Sequence, residues 1–245
     1  MCYYFCMNKT KSTYKATFAN VILCGSLISF GIYLTIAIFG GITFTLNKAY
    51  LLSNNWSLIV YIVAAILSTA LLFAILITGP LWNVYVLGIF SAISMFFVGF
   101  LTLGYVFNKF LTLEVETWKI LSVLFIPAAV MMLTGTLAYY NLINFKKVWI
   151  TLILLFITSI IIALTIFFVS NKNLVYVLYS LVSCAIFAAY MAIDWFLITR
   201  FNRKYKELGN EFLSLKNAIK MSMYFGFKLS YDYVMIVYYL SRIFK

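Results

Sequence analysis

The sequence has no histidine, only six acidic residues, and a charged fraction of 10% in 245 residues. Without histidine there can be no Ser/His or Cys/His nucleophile pair and no zinc site built on imidazole. The four cysteines form no CxxC pair, and we assign them no function. Paired carboxylates could serve an aspartyl protease, but the GxGD signature is absent, because Asp194 follows Ile and Asp232 follows Tyr. We therefore expect neither an enzyme nor a cofactor.

Apolar residues make up 65% of the chain and aromatic residues 20%, far above the roughly 45–50% apolar content of soluble domains. Too few polar residues remain to cover a globule of this size in water. The net charge of +12 comes from 18 Lys and Arg against 6 Asp and Glu. These cations lie between apolar runs, where they set topology, so we do not expect nucleic acid as a partner. The composition indicates an integral membrane protein.

Dividing the uncharged stretches by the roughly 20 residues that a membrane-crossing helix needs predicts seven spans. The first ends at Gly40-Gly41, and Gly79-Pro80 separates the second from the third, because proline lacks a backbone donor. The fold class is then an all-α membrane protein, with a cytoplasmic segment 1–16 and a seven-helix transmembrane domain 17–245. The spans are about 17–39, 56–78, 81–104, 119–141, 148–169, 174–197 and 224–244.

Orientation follows from the cations in the short loops, because Lys and Arg are retained on the cytoplasmic side. With the N-terminus inside, eleven lie in cytoplasmic segments: Lys9, Lys11, Lys15, Lys146, Lys147, Arg200, Arg203, Lys204, Lys206, Lys216 and Lys220. Four lie on the opposite side: Lys48, Lys109, Lys119 and Lys172. We therefore expect a cytoplasmic N-terminus, and we place this multi-pass protein in the plasma membrane.

One segment stands apart in composition, the run from Arg200 to Lys220 between the sixth and seventh spans. We interpret it as a basic cytoplasmic loop with a short amphipathic helix against anionic headgroups. Its basic residues could instead form a regulatory partner site. The residues concerned are Arg200, Arg203, Lys204 and Lys206.

Two of the six acidic residues, Asp194 and Asp232, fall inside predicted spans. A carboxylate at membrane depth costs a few kcal/mol, and such residues usually face the bundle interior and handle protons or ions. Both lie on the cytoplasmic side of the membrane, roughly 7 Å and 12 Å inside the boundary, so they could meet. Such a pair would hold one proton to unusually high pH and could also bind a hard cation. Alternatively, Asp194 marks a helix end, and Asp232 forms a salt bridge with Lys228 one turn earlier.

The last helix, LSYDYVMIVYYLSRIF from Leu229 to Phe244, resembles without gaps the closing helix of the Bax inhibitor-1 (transmembrane Bax inhibitor motif) family, roughly LYLDIINLFLxLLRIF. The aspartate in fourth place falls on Asp232, and the arginine ten residues later falls on Arg242. Upstream, AAYMAIDWFLI resembles the family's sixth helix, which ends roughly AYDTQ, and its aspartate falls on Asp194.

The resemblance implies a calcium-leak channel gated by pH, with the last helix central among the other six. In that picture Asp194 and Asp232 form a hydrogen-bonded pair in the closed state, sense pH and contribute calcium ligands. Family members can carry an arginine on an early helix that latches the aspartates. Here no arginine precedes Arg200, and Lys228 could replace the latch from the same helix as Asp232. The family's TQ is WF in this chain, and 37 residues separate the two aspartates.

The leading hypothesis is a passive, pH-sensitive calcium-permeable channel whose partners are the lipid bilayer, calcium and protons. Lys228 and Arg242 are its candidate charge partners, and we expect a monomer. A second hypothesis is a non-transporting interaction protein that regulates a protease or stress pathway through the basic loop, with a membrane protein as partner. A third is a proton-coupled carrier.

Overall fold

The structure, a computed structural model, describes residues 20–53, 56–112, 115–165, 168–169, 172–208 and 213–244. The expected cytoplasmic segment 1–16 lies outside these ranges. Within them the chain forms long helices and no strand. The helices are α1 Val21–Ser53, α2 Trp56–Thr78, α3 Val84–Thr112, α4 Thr117–Tyr139, α5 Phe145–Thr165, α6 Lys172–Leu208 and α7 Leu215–Ile243.

Six of these helices, α1 to α6, are long and apolar enough to cross a membrane. Many of their large apolar side chains are exposed on the outside of the bundle, among them Ile28, Ile77 and Phe125. In water such a surface would be unfavourable, whereas lipid tails are as apolar as these side chains. The protein is a multi-pass membrane protein.

The predicted break between the second and third spans is confirmed. The second helix ends at Thr78, and a 3-10 turn, Gly79–Leu81, joins it to α3. Pro80 lies in this turn, where it cannot supply the amide that would continue the helix.

The first helix corrects one predicted boundary, because α1 runs through Gly40-Gly41 to Ser53. Gly40 and Gly41 do not end the helix but allow it to pack closely against α3. A Cβ atom at Gly40 would overlap with the Phe96 carbonyl oxygen, and one at Gly99 would overlap with the Ala37 carbonyl oxygen. Because neither residue has a side chain, the backbones of α1 and α3 can approach closely, as at the small-residue interfaces of other membrane helices.

The segment 200–220 corrects a second expectation, because most of it is helical rather than a loop. The sixth helix continues to Leu208 and the seventh already begins at Leu215. Lysine, arginine and glutamate are good helix formers, so the charged run can prolong both helices. Ser214 caps α7, since its side-chain oxygen accepts a hydrogen bond from the Asn217 amide.

The last helix, α7, packs against α1, α3, α4 and α6. Its polar side chains donate hydrogen bonds to backbone carbonyls of three other helices. The hydroxyl group of Ser230 donates to the carbonyl oxygen of Phe30 in α1 at 2.9 Å. The Tyr224 hydroxyl donates to the Leu76 carbonyl of α2 at 3.1 Å, and the Tyr233 hydroxyl donates to the Leu124 carbonyl of α4 at 2.9 Å. At the other end, the Lys109 ammonium of α3 binds the carbonyl oxygens of Ser241 and Phe244. Several polar side chains of α7 are thus satisfied by neighbouring helices.

Candidate functional site

An ion pair joins α6 to α7 inside the bundle. The Lys228 ammonium binds the Asp194 carboxylate, and the two side chains are 20% and 0% exposed. Each lies well away from the nearer helix end. Asp194 is about 21 Å from the Leu208 end of α6, and Lys228 is about 20 Å from the Leu215 end of α7. A buried charge of this kind is stable only when it is paired.

The second predicted aspartate, Asp232, belongs to the same cluster. It follows Lys228 by one helical turn, so both side chains lie on the same face of α7, and it is 5% exposed. It interacts electrostatically with both Asp194 and Lys228. The structure therefore brings the two aspartates within electrostatic range of each other across the α6–α7 interface, together with one lysine.

The ion pair differs from the alternative that the sequence left open. Lys228 pairs across helices with Asp194, and not along its own helix with Asp232. One carboxylate oxygen of each aspartate, Oδ2, is buried and has no hydrogen-bond partner in the part of the chain that the structure describes. The cluster thus has one positive charge for two carboxylates and retains unused acceptor capacity.

Tyrosines that the sequence analysis did not single out surround the cluster. The Lys228 ammonium lies 5.8 Å from the centre of the Tyr224 ring, a cation–π distance. Tyr190 interacts electrostatically with Lys228 and with both aspartates. Both tyrosines are one turn from a cluster member, Tyr224 before Lys228 and Tyr190 before Asp194, so the spacing of four residues was the available signal.

Arg242, the other expected charge partner, lies elsewhere. Its guanidinium is 5.5 Å from the Tyr238 ring centre and 5.9 Å from that of Tyr176. It is ten residues, roughly 15 Å, along α7 from Asp232. Arg242 therefore stacks on aromatic rings near the end of α7 and does not neutralise the aspartates.

That Asp194 and Asp232 contribute calcium ligands stays a prediction. Calcium takes six to eight oxygen ligands, and the described residues contain no group of three or more acidic, cysteine or histidine side chains that could hold a metal. The Lys228 ammonium already lies where a cation would bind Asp194. Calcium would have to displace it.

The four basic residues of the predicted loop lie on the last turns of α6. Arg203 is used within the fold, because its guanidinium donates hydrogen bonds to the Tyr139 carbonyl and to the Asn141 side chain. Both acceptors lie at the C-terminal end of α4, where a cation is favoured by the helix dipole. Arg200 and Lys206 are exposed.

Comparison with known proteins gives no match: no family model, no curated protein and no solved structure is significantly similar to the chain. The function must therefore be inferred from the residues themselves, above all from the cluster of Asp194, Lys228 and Asp232.

Proposed function

We propose that this protein is a pH-sensitive calcium-leak channel of the Bax inhibitor-1 type, in which α7 is a seventh, central span. The proton switch is the cluster of Asp194, Lys228 and Asp232. The single observation that supports this proposal most is the burial of two carboxylates and one ammonium at the interface of two long helices.

The charge balance of the cluster supplies the switch. With one proton on the aspartates the cluster is neutral, and α6 and α7 can pack against each other. When both aspartates ionise, the cluster carries one net negative charge in a low-dielectric interior, where an unpaired charge costs several kcal/mol. That cost is relieved if the helices separate and water or a cation enters. Rising pH should therefore open the path, and falling pH should close it.

Few other titratable groups of the described residues lie near the cluster, so the two aspartates decide whether the leak rises or falls with pH. The nearby titratable groups are Tyr190 on α6 and Tyr224 and Tyr231 on α7. Lys109 of α3 binds the carbonyl oxygens of Ser241 and Phe244 at the C-terminal end of α7, and Lys119 of α4 follows Trp118, which packs against Phe244 at that same end. In this proposal Asp194 and Asp232 are the groups whose protonation sets the charge of the cluster.

The test is calcium influx into liposomes that contain the purified protein and an internal calcium dye, recorded from pH 5 to 8. We expect the wild-type leak to rise with pH. In Asp232→Asn the ionised Asp194 and Lys228 form a neutral pair that cannot gain a net negative charge, so the leak should stay low and should not rise with pH. Glu207→Gln, which removes an exposed carboxylate from α6, is the matched control and should behave as wild type.

A pH-dependent leak that is unchanged in both Asp232→Asn and Asp194→Asn would refute the proton switch. Flux that saturates and needs a proton gradient would instead indicate a proton-coupled carrier. No flux at any pH from folded protein would favour the interaction-protein hypothesis. That hypothesis predicts that neutralising Arg200, Arg203, Lys204 and Lys206 removes the biological effect while Asp232→Asn does not.

A further inference from the structure

A cavity of about 640 Å³ lies between α1, α4, α6 and α7, within the roughly 300–1,000 Å³ of typical ligand pockets. Its walls are apolar and contain no charged residue. Two lining residues, Met132 of α4 and Tyr140 directly after α4, are 68% and 67% exposed. The cavity therefore opens on the outside of the bundle, where the surrounding surface faces lipid.

The cavity has the length of one membrane leaflet. Along α1 it extends from Leu23 to Leu34, and along α4 from Ala128 to Tyr140. Eleven residues of helix span about 16 Å, roughly half of the 30 Å hydrocarbon core. Leu23 of α1 and Tyr139 of α4 are hydrogen-bonded to Asn202 and Arg203 on the last turns of α6, so the start of α1 and the end of α4 lie at the same end of the cavity. We place that end at the membrane surface and the other near the midplane.

The surface end of the cavity is basic. Tyr139 lines the cavity, and its carbonyl oxygen accepts a hydrogen bond from Arg203. Thr199 also lines the cavity and is followed by the exposed Arg200. A guanidinium has five donors in a fork that suits phosphate, and the structure shows Arg203 using its two terminal nitrogens on α4. Donors remain for an anion at the mouth.

The inner wall carries a polar group without a partner. Trp195 lines the cavity, is 6% exposed, and its indole N–H has no hydrogen-bond acceptor among the described residues. Trp195 lies four residues, about 6 Å, below Thr199. The N–H itself is covered by protein, so Trp195 offers its ring to the cavity, at the depth where the acyl chains of a phospholipid bound by its phosphate at Arg203 would begin.

We propose that this cavity binds one anionic phospholipid, with an acyl chain along α1 and α4 and the phosphate at Arg203. Free phosphate shares the headgroup chemistry but cannot fill the apolar walls. This inference is independent of the proton switch, although Trp195 and Tyr233, which both line the cavity, directly follow the two aspartates in the sequence.

Native mass spectrometry tests the site on protein released from nanodiscs of equimolar phosphatidylglycerol and phosphatidylcholine. We expect one phosphatidylglycerol to be retained, in about tenfold preference over phosphatidylcholine, because both lipids offer a phosphate to Arg203 but the choline cation of phosphatidylcholine adds a like charge beside the arginines of the mouth. Ala128→Phe fills the cavity and should reduce retention about tenfold. Ala129→Phe makes the same change at the next position, which is exposed and does not line the cavity, and should retain lipid as wild type does.

Brominated phosphatidylglycerol gives a second measurement that needs no cavity-filling variant. The Trp195 fluorescence is the difference between the emission of wild type and that of Trp195→Phe. Brominated phosphatidylglycerol should quench this fluorescence more strongly than brominated phosphatidylcholine does, and millimolar inorganic phosphate should not reverse the quenching. Equal retention of the two lipids, equal retention in Ala128→Phe and wild type, or displacement by inorganic phosphate would each overturn the proposal.

Discussion

Removing the ammonium of Lys228 is the perturbation whose effect the structure defines best. Lys228→Met keeps most of the side-chain length but leaves Asp194 and Asp232 together without a counter-charge. Breaking a buried ion pair by removing one partner costs about 3–5 kcal/mol. We expect the lower end, about 3 kcal/mol, because the Lys228 side chain is 20% exposed and the pair is therefore not fully buried. The ratio of folded to unfolded protein should then fall about 100-fold.

The assay is reversible unfolding in mixed micelles of a mild detergent and increasing dodecyl sulfate, followed by circular dichroism at neutral pH. Lys216→Met is the matched control, because Lys216 is an exposed lysine on the same helix, and its loss should change stability by less than about 0.5 kcal/mol. Asp194→Asn should cost less than Lys228→Met, since Lys228 then keeps Asp232 as a nearby partner.

The double variant of Lys228→Met and Asp194→Asn provides the decisive comparison. Replacing both members of a buried pair is often close to neutral, so the second substitution should recover most of the stability lost in the first. Two losses that simply add would show that the residues are not coupled. A Lys228→Met variant as stable as Lys216→Met would refute the buried ion pair itself.

Two further predictions test the bundle and its orientation. Gly99→Ala should destabilise the protein by about 1–3 kcal/mol in the same unfolding assay, because the new methyl group would overlap with the Ala37 carbonyl oxygen. The control, Gly31→Ala, places its methyl group where nothing lies within 4 Å, so its stability should be unchanged or rise by up to about 1 kcal/mol. Equal losses of stability in the two variants would contradict the α1–α3 packing. In a background with the four native cysteines replaced by serine, a membrane-impermeant maleimide should label Lys146→Cys and Lys204→Cys in intact cells only after permeabilisation, and Thr112→Cys without it. The reverse labelling pattern would contradict the cytoplasmic N-terminus.

Much of the helical layout could be predicted because a bilayer constrains each segment separately. A run of about 20 apolar residues must satisfy its backbone internally and so becomes a helix whatever it packs against. For this reason the second helix was predicted with the bounds that the structure shows, Trp56–Thr78, and Pro80 follows its end. Helix ends outside the apolar run are not constrained in this way. The prediction therefore ended the first helix too early and missed the long extensions of α6 and α7.

The candidate site was predictable in part for the same reason. Charged side chains in apolar runs are few, so their positions in the sequence were enough to identify Asp194, Asp232 and Lys228 as candidates. Sequence spacing could relate Lys228 to Asp232, which are one turn apart on one helix, but it could not relate either residue to another helix.

The sequence by itself determined a helical membrane protein and the identity of its buried charges, because hydropathy and helix length are local properties. Only the tertiary structure decided that Lys228 pairs with Asp194 rather than with Asp232. It also decided that α1, α4, α6 and α7 leave a leaflet-length cavity with a basic mouth. Both depend on how far each helix is shifted and rotated against its neighbours, and that is set by close packing at residues such as Gly99 and Gly40, which no single segment specifies.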